Sequence, residues 1–259
     1  IGDKALGAIQ NGMSSFSFSD ADAAALAAQG IKKLDSASTI AGPKDGYTLR
    51  LNRVFGKHSS ENGLKLNYKV YLTKEVNAFA CADGSVRVYS GLMDIMDDNQ
   101  LLAVIGHEIG HVANHDSRDA MKAAYRNAAI AGAIGSTSSK AAAITDSQVG
   151  QIAQALAQSK YSRKQESEAD TFSYDFMKAN GYDVNAVESA FNMLASMSEG
   201  ADSNFISQMM SSHPDSKDRA EKARKRAEED VLYKPYTQKS FSNKATATKP
   251  TKKPTKKKK

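Results

Sequence analysis

His107, Glu108 and His111 are the residues in this chain whose types and spacing can do chemistry. Two histidines four apart lie one turn above the other on the same face of a helix. Both imidazoles can then reach one metal ion at about 2.0–2.1 Å. Glu108 is turned about 100° from His107, where it can touch a water on that metal without ligating it. In the His-Glu-x-x-His arrangement the histidines hold zinc and the glutamate serves as general base for peptide hydrolysis.

The same five letters also arise by accident on solvated helix faces, so the flanks have to be weighed. Leu101, Leu102, Val104, Ile105, Ile109 and Val112 cover most of the circumference, the pattern of a buried helix. Burying Glu108 unpaired costs several kcal/mol, which catalysis justifies and packing alone does not. Gly106 and Gly110 each cost about 1 kcal/mol relative to alanine inside a helix. Either a metal or a neighbouring backbone is therefore expected to come close beside the histidines.

Catalytic zinc takes three protein ligands and keeps one open position, so a third group is needed. His115 lies eight residues along from His107, about 12 Å on a straight helix, too far to share an ion. A metzincin site requires Gly and His where this chain has Asn114 and Ser117. The segment Ser162-Arg163-Lys164-Gln165-Glu166-Ser167-Glu168-Ala169-Asp170 remains. Glu166 and Asp170 share a helix face, where like charges repel unless a cation sits opposite. Glu166 is assigned as the third ligand and Asp170 as the acceptor orienting a ligand histidine. The competing reading is a solvated acidic turn.

These groups need elements to carry them. Ser19, with Asp22 three residues on, caps an expected helix running to about Ala37. Tyr47, Leu51, Val54 and Phe55 recur at helical spacing. From Leu64 to Leu72 apolar residues alternate, and Val76–Cys81 and Ser85–Tyr89 flank Ala82-Asp83-Gly84 as a hairpin. Ser90 opens a short helix, and Asp97 or Asp98 caps the histidine helix, expected to end near Asn114. Helices follow over about 117–134, 146–159 and 162–179, then one carrying Val187, Ala190, Phe191, Leu194 and Met197. Residues 202–214 read as irregular, leading through Ser211-Ser212-His213-Pro214 into a charged helix ending near Asp230. The order is that of an α+β domain, mostly helical with a small three- to four-stranded sheet. Three parts are expected: an extended arm over 1–18, a catalytic domain over 19–236 and a disordered lysine-rich tail over 237–259.

The 259 residues, 41% hydrophobic and 25% charged, suffice for one sizeable core. No run approaches the roughly 18–20 apolar residues that span a bilayer. The formal net charge is +6, but nine lysines and no acid fall in 237–259, leaving the rest at −3. A nucleic-acid-binding body is therefore not indicated. A lone Cys81 excludes an intrachain disulfide and a multi-cysteine zinc site; it reads as a packed residue. The chain opens on Ile1 without signal-peptide features, so any export signal is expected upstream.

His107-Glu108-Ile109-Gly110-His111 followed by Ser162-Arg163-x-x-Glu166-x-x-Ala169-Asp170 resembles the HtpX, BepA and LoiP group of zinc peptidases, peptidase family M48. Asn77-Ala78-Phe79-Ala80, Val88-Tyr89-Ser90-Gly91-Leu92, and Ser212-His213-Pro214 with Arg219 fit the same pattern. The similarity runs from about residue 20 to 230 and is of the LoiP type, a periplasmic lipoprotein peptidase at the outer membrane. It implies a zincin-like fold whose sheet edges the cleft. It implies one zinc held by His107, His111 and Glu166, with Glu108 catalytic. The strand over Asn77, Ala78, Phe79 and Ala80 is implied to line the cleft and pair with extended substrate through main-chain hydrogen bonds.

The oxyanion needs a donor besides zinc, and His213 or Arg219 is the candidate. Both also read as a turn histidine and a surface arginine, and His213 can instead approach the metal and close the site at rest. The expected function is a zinc endopeptidase acting on unfolded or damaged envelope proteins in the periplasm, possible partners being other envelope proteases. A chaperone-like peptide holder with structural zinc is the alternative, and a mere core with satisfied polar groups the third reading. HtpX-type members carry membrane spans, whereas this chain has only the Ala-rich 120–158 stretch; the lipid-bearing cysteine of a lipoprotein is missing too. The lysine tail can dock on the outer membrane, on anionic lipid or on envelope polymers.

Overall fold

Ser19 starts the first helix by a reciprocal cap. Its hydroxyl accepts from Asp22 N–H while the Asp22 carboxylate accepts from Ser19 N–H, opening α1 (Asp20–Ala37). The computed structural model describes residues 19–61, 63–132, 146–200 and 203–244. The expected arm over 1–18, the break after about residue 134 and the lysine-rich end beyond 244 lie outside these. Asp45 caps α2 (Gly46–Phe55) by accepting from Tyr47 N–H.

The strands are short. β1 (Ser60–Glu61) and β2 (Leu64–Lys65) pair antiparallel. β3 (Asn67–Tyr71), β4 (Ala78–Ala80) and β5 (Ser85–Tyr89) form a sheet of order β3-β5-β4. β3 runs parallel to β5, and β4 antiparallel to it. The single strand expected over 64–72 is thus two, because Leu66 N–H goes to Ser59 O and ends the first ladder. The hairpin between β4 and β5 is where its turn residues place it. Gly84 has φ +84°, and a Cβ there would lie 2.0 Å from Lys65 O, so only glycine fits.

Alternation along the strands divides the core in two. Val70, Ala78, Ala80, Val86 and Val88 face one way, into the larger cluster. It includes residues of α3 (Ser90–Ile95), α4 (Asp98–Ala113), α7 (Arg163–Ala179), α8 (Asn185–Glu199), α9 (Ser203–Ser212) and α10 (Ser216–Glu229). Tyr71, Phe79, Cys81 and Tyr89 face the other way, onto α1, α5 (Asp116–Gly132) and α6 (Asp146–Ala157). Asp35 ties α1 to the sheet by accepting from Arg87, Lys69 and Tyr71. Burial opposes ionisation there, yet these donors hold its pKa at about 2.

α4 carries the histidines. Asp97 caps it in a second reciprocal box with Gln100, and every residue from Gln100 to Val112 is buried. The close neighbour beside its glycines is another helix, by its backbone at Gly110 and by a side chain at Gly106. A Cβ on Gly110 would meet Ala169 Cα and O at 3.1 Å, and one on Gly106 the Phe176 ring at 3.1 Å. α7 therefore lies directly against α4, which brings Glu166 and Asp170 to the histidine face.

Two expectations are corrected. Residues 202–214 are not irregular: α9 spans Ser203–Ser212. Its serines weaken helix propensity, but Ile206 and Met209 are buried in the large core, and tertiary packing decides for a short helix. The disordered tail does not begin at Thr237 either. Gln238 donates to Ile95 O, Lys239 N–H to Asp97, and Asn243 to Met93 O. Arg50 lies over the Phe241 ring at 4.4 Å. Polar side chains with no apolar period thus act as a strap, which hydropathy patterning does not register.

Candidate metal centre

Four side chains converge from three places in the fold: His107 and His111 from α4, Glu166 from the first turn of α7, and His213 just past α9. All four are buried, and one ligand atom from each lies within 4.8 Å of the others. His107 Nε2 and His111 Nε2 are 3.1 Å apart, and His107 Nε2 and His213 Nδ1 are 3.3 Å apart. Glu166 Oε1 is 3.3 Å from His111 Nε2 and 2.9 Å from His213 Nδ1; Glu166 Oε2 is 3.5 Å from His107 Nε2. A tetrahedron with zinc–ligand distances near 2.0–2.1 Å has edges of about 3.3–3.4 Å. The observed separations have that size.

Two buried carboxylate oxygens here, Glu108 Oε1 and Glu166 Oε2, make no hydrogen bond. Arg219 Nη1 is 2.9 Å from Glu166 Oε2 as an ion-pair partner without an N–H aimed along the line. Unsatisfied buried carboxylate oxygens are expensive; a divalent cation held by nitrogen and oxygen donors is what such a set accommodates. The residues present fit zinc.

The cluster is braced from behind at His107. His107 Nδ1 is 2.8 Å from Asp170 Oδ1, the orienting contact expected from the sequence. Arg219 holds Asp170 through two hydrogen bonds, Nε to Oδ2 at 2.9 Å and Nη2 to Oδ1 at 2.6 Å, and stacks over Phe191. It is 5% exposed, so it is not a surface arginine; Asp170 accepts from it, Glu166 is its ion-pair partner, and its Nη2 also lies 3.1 Å from His107 Nδ1. His115, at the C-terminal end of α4, is more than half exposed and reaches only toward Asp20.

Burial acts to raise the Glu166 carboxyl, but hydrogen bonds with His111 and His213 hold it well below the usual range. Burial likewise opposes Asp170, where Arg219 and His107 bring it to about 2. Glu108 differs. Burial pushes it up, against the pull of His213 and His111.

Beside Glu108 is a cavity of about 10 Å³, room for about one water. Asn77, Ala78, Phe79, Tyr161, Ser212 and His213 are among its walls. β4 is the outer strand of its sheet. Tyr89 N–H bonds to Asn77 O and Cys81 N–H to Ser85 O, so Ala78 and Ala80 turn their main-chain groups away from β5, where Ala78 N–H donates to Asn77 Oδ1 and Ala80 O accepts from the Ser117 hydroxyl. The structure thus brings the Asn77–Ala80 stretch, Glu108 and the four-residue cluster together.

Two contributors escaped the sequence reading. Asp116 Oδ2 is 2.9 Å from His111 Nδ1, and Tyr161 stacks on the His111 ring at 3.7 Å and 14°. Asp116 opens a new helix and Tyr161 precedes one, so no periodicity links either to the histidines.

The family description Peptidase family M48 matches residues 48–227. The chain is 43% identical over 223 residues to the metalloprotease YcaL of Escherichia coli, covering 85% of this chain and 86% of that protein. It is 39% identical over 218 residues to the metalloprotease LoiP of the same organism, covering 84% and 85%. A putative beta-barrel assembly-enhancing protease of Vibrio cholerae is 32% identical over 181 residues, 65% of this chain and 36% of that protein.

Proposed function

The chain belongs to peptidase family M48 and is a metalloprotease, and from that premise we propose that it is a zinc endopeptidase for unfolded or damaged envelope proteins. His107, His111 and Glu166 hold the metal, Glu108 is the catalytic base, and residues 19–244 form the catalytic unit. The observation that carries this reading is Glu108 Oε1, buried and without a hydrogen-bond partner, beside a donor cluster of zinc-sized edges.

When bound, zinc polarises the scissile carbonyl and makes water acidic enough to ionise near neutral pH. Glu108 Oε1 takes the proton and passes it to the leaving amine. Asp170 keeps the His107 ring in place, and Arg219 keeps both Asp170 and Glu166. β4 receives substrate as an added strand that takes over Ala78 N–H from Asn77 and Ala80 O from Ser117, a grip that reads backbone more than side chains and so suits unfolded chains. His213 closes the site at rest: its Nδ1 stands among the ligand atoms, and its ring helps wall the one-water cavity.

The envelope assignment draws support from the LoiP-type motifs and from the similarity to a putative beta-barrel assembly-enhancing protease of Vibrio cholerae. No helix among the described residues is long and apolar enough to cross a membrane. The lysine-rich end would add attraction to anionic lipid or envelope polymers, at roughly 1 kcal/mol per lysine close to the surface; association with other envelope proteases belongs to the same reading. Glu108→Gln tests the core of it. The variant is expected to retain zinc and to lose about 10²–10⁴-fold in cleavage of unfolded casein; wild-type cleavage would overturn the mechanism.

A further inference from the structure

His111 and Glu166 sit on different helices, yet a closed ring of contacts joins them. His111 Nδ1 is 2.9 Å from Asp116 Oδ2. The other oxygen, Asp116 Oδ1, accepts from Gln165 Nε2 at 2.9 Å. Gln165 Oε1 in turn accepts from the Ser162 N–H and hydroxyl, both at 2.9 Å, and Gln165 N–H returns to Ser162 Oγ at 3.3 Å. The next residue is Glu166, whose Oε1 is 3.3 Å from His111 Nε2. Asp116 is 4% exposed, so both of its oxygens are committed inside the protein.

We propose that Asp116 and Gln165 are a positioning pair that sets the metal-facing atoms of His111 and Glu166 in register. The proposal rests on the assignment of those two residues as zinc ligands. A proton on His111 Nδ1, donated to Asp116, fixes the tautomer that leaves the Nε2 lone pair pointing into the cluster. Gln165 transmits that constraint to the capping turn of α7, so the helix that delivers Glu166 is anchored to the histidine it must meet. Asp170 has the corresponding task for His107; the Asp116 arm differs in gripping both ligand-bearing segments at once.

The donor pattern supplies a test that a generic structural role does not predict. Asp116→Asn offers one acceptor and one amide, so whichever way it turns, a donor meets a donor at His111 or Gln165. Gln165→Glu alone sets a carboxylate against a carboxylate. In the double variant, Asp116→Asn with Gln165→Glu, the asparagine oxygen accepts from His111 and its amide donates to the new carboxylate at 165. That carboxylate's other oxygen still accepts from Ser162.

Zinc affinity by chelator competition and the visible spectrum of the cobalt-substituted protein are the readouts. Each single substitution is expected to weaken zinc about 10–100-fold and to alter the cobalt bands. The double variant is expected to return both to near wild type. Singles that bind as tightly as wild type, or a double no better than the weaker single, overturn the pairing. Should Asp116→Asn fail to fold, Gln165→Ala, on a half-buried first turn, carries the test: about 10-fold weaker zinc supports the pair and unchanged affinity overturns it. Wild type and Glu166→Ala are measured alongside; equal zinc binding by these two would instead strike down the ligand assignment itself.

Discussion

At the scale of single residues, the site is a set of charges that only make sense together. Glu166 is buried within 3.5 Å of three imidazoles and Glu108 beside that of His213, and two of their oxygens make no hydrogen bond. His213 is the member with a choice. Its Nδ1 faces Glu166 Oε1 at 2.9 Å and its Nε2 lies 3.5 Å from Glu108 Oε1, the contacts on which its proposed closing of the site rests. His213→Ala is therefore expected to raise cleavage of an unfolded protein several-fold while zinc stays bound. A fall in activity would make the histidine an oxyanion donor instead. His107, Glu108 and His111 were legible from spacing alone, because a helix converts a four-residue interval into a shared face. Asp116 and Tyr161 were not, because their contacts depend on how one helix ends and the next begins.

At the scale of elements, the contact of α4 with α7 builds the site. Gly110 lets the two backbones approach, and a Cβ there would press on Ala169 main-chain atoms at 3.1 Å, which cannot turn aside. At Gly106 the obstacle is the Phe176 ring, a side chain able to shift. Gly110→Ala is expected to destabilise the protein by about 1–3 kcal/mol and to weaken zinc binding. Gly106→Ala is expected to cost less, since the ring can give way while the helix propensity that alanine gains at either site returns about 1 kcal/mol. Urea unfolding with zinc titration checks both; equal effects would mean that helix approach does not position Glu166. The α1, α4 and α7 starts were readable because each uses a Ser or Asp cap. α9 was not: its identity rests on Ile206 and Met209 finding the core, a tertiary fact. The break at Leu66 likewise depends on Ser59 O, a partner seven residues away.

At the scale of the whole molecule, the chain closes on itself. The stretch from Tyr233 to Asn243 passes over the starts of α8 and α4 and the end of α3. Tyr236 OH and Lys239 N–H both donate to Asp97, the residue that caps the histidine helix. Arg50 donates to Asn243 and lies over Phe241. Removing residues 237–259 is expected to cost about 1–3 kcal/mol of stability, several hydrogen bonds less the entropy regained. Removing only 245–259 is expected to leave the melting temperature unchanged and to weaken binding to anionic vesicles. Equal melting of both truncated forms would dismiss the strap. The metal centre itself is tested most directly by elemental analysis of gently purified wild type and Glu166→Gln. One zinc per wild-type chain, lost or greatly weakened in the variant, is the predicted result; no stoichiometric zinc in wild type, or full zinc in both, would contradict it.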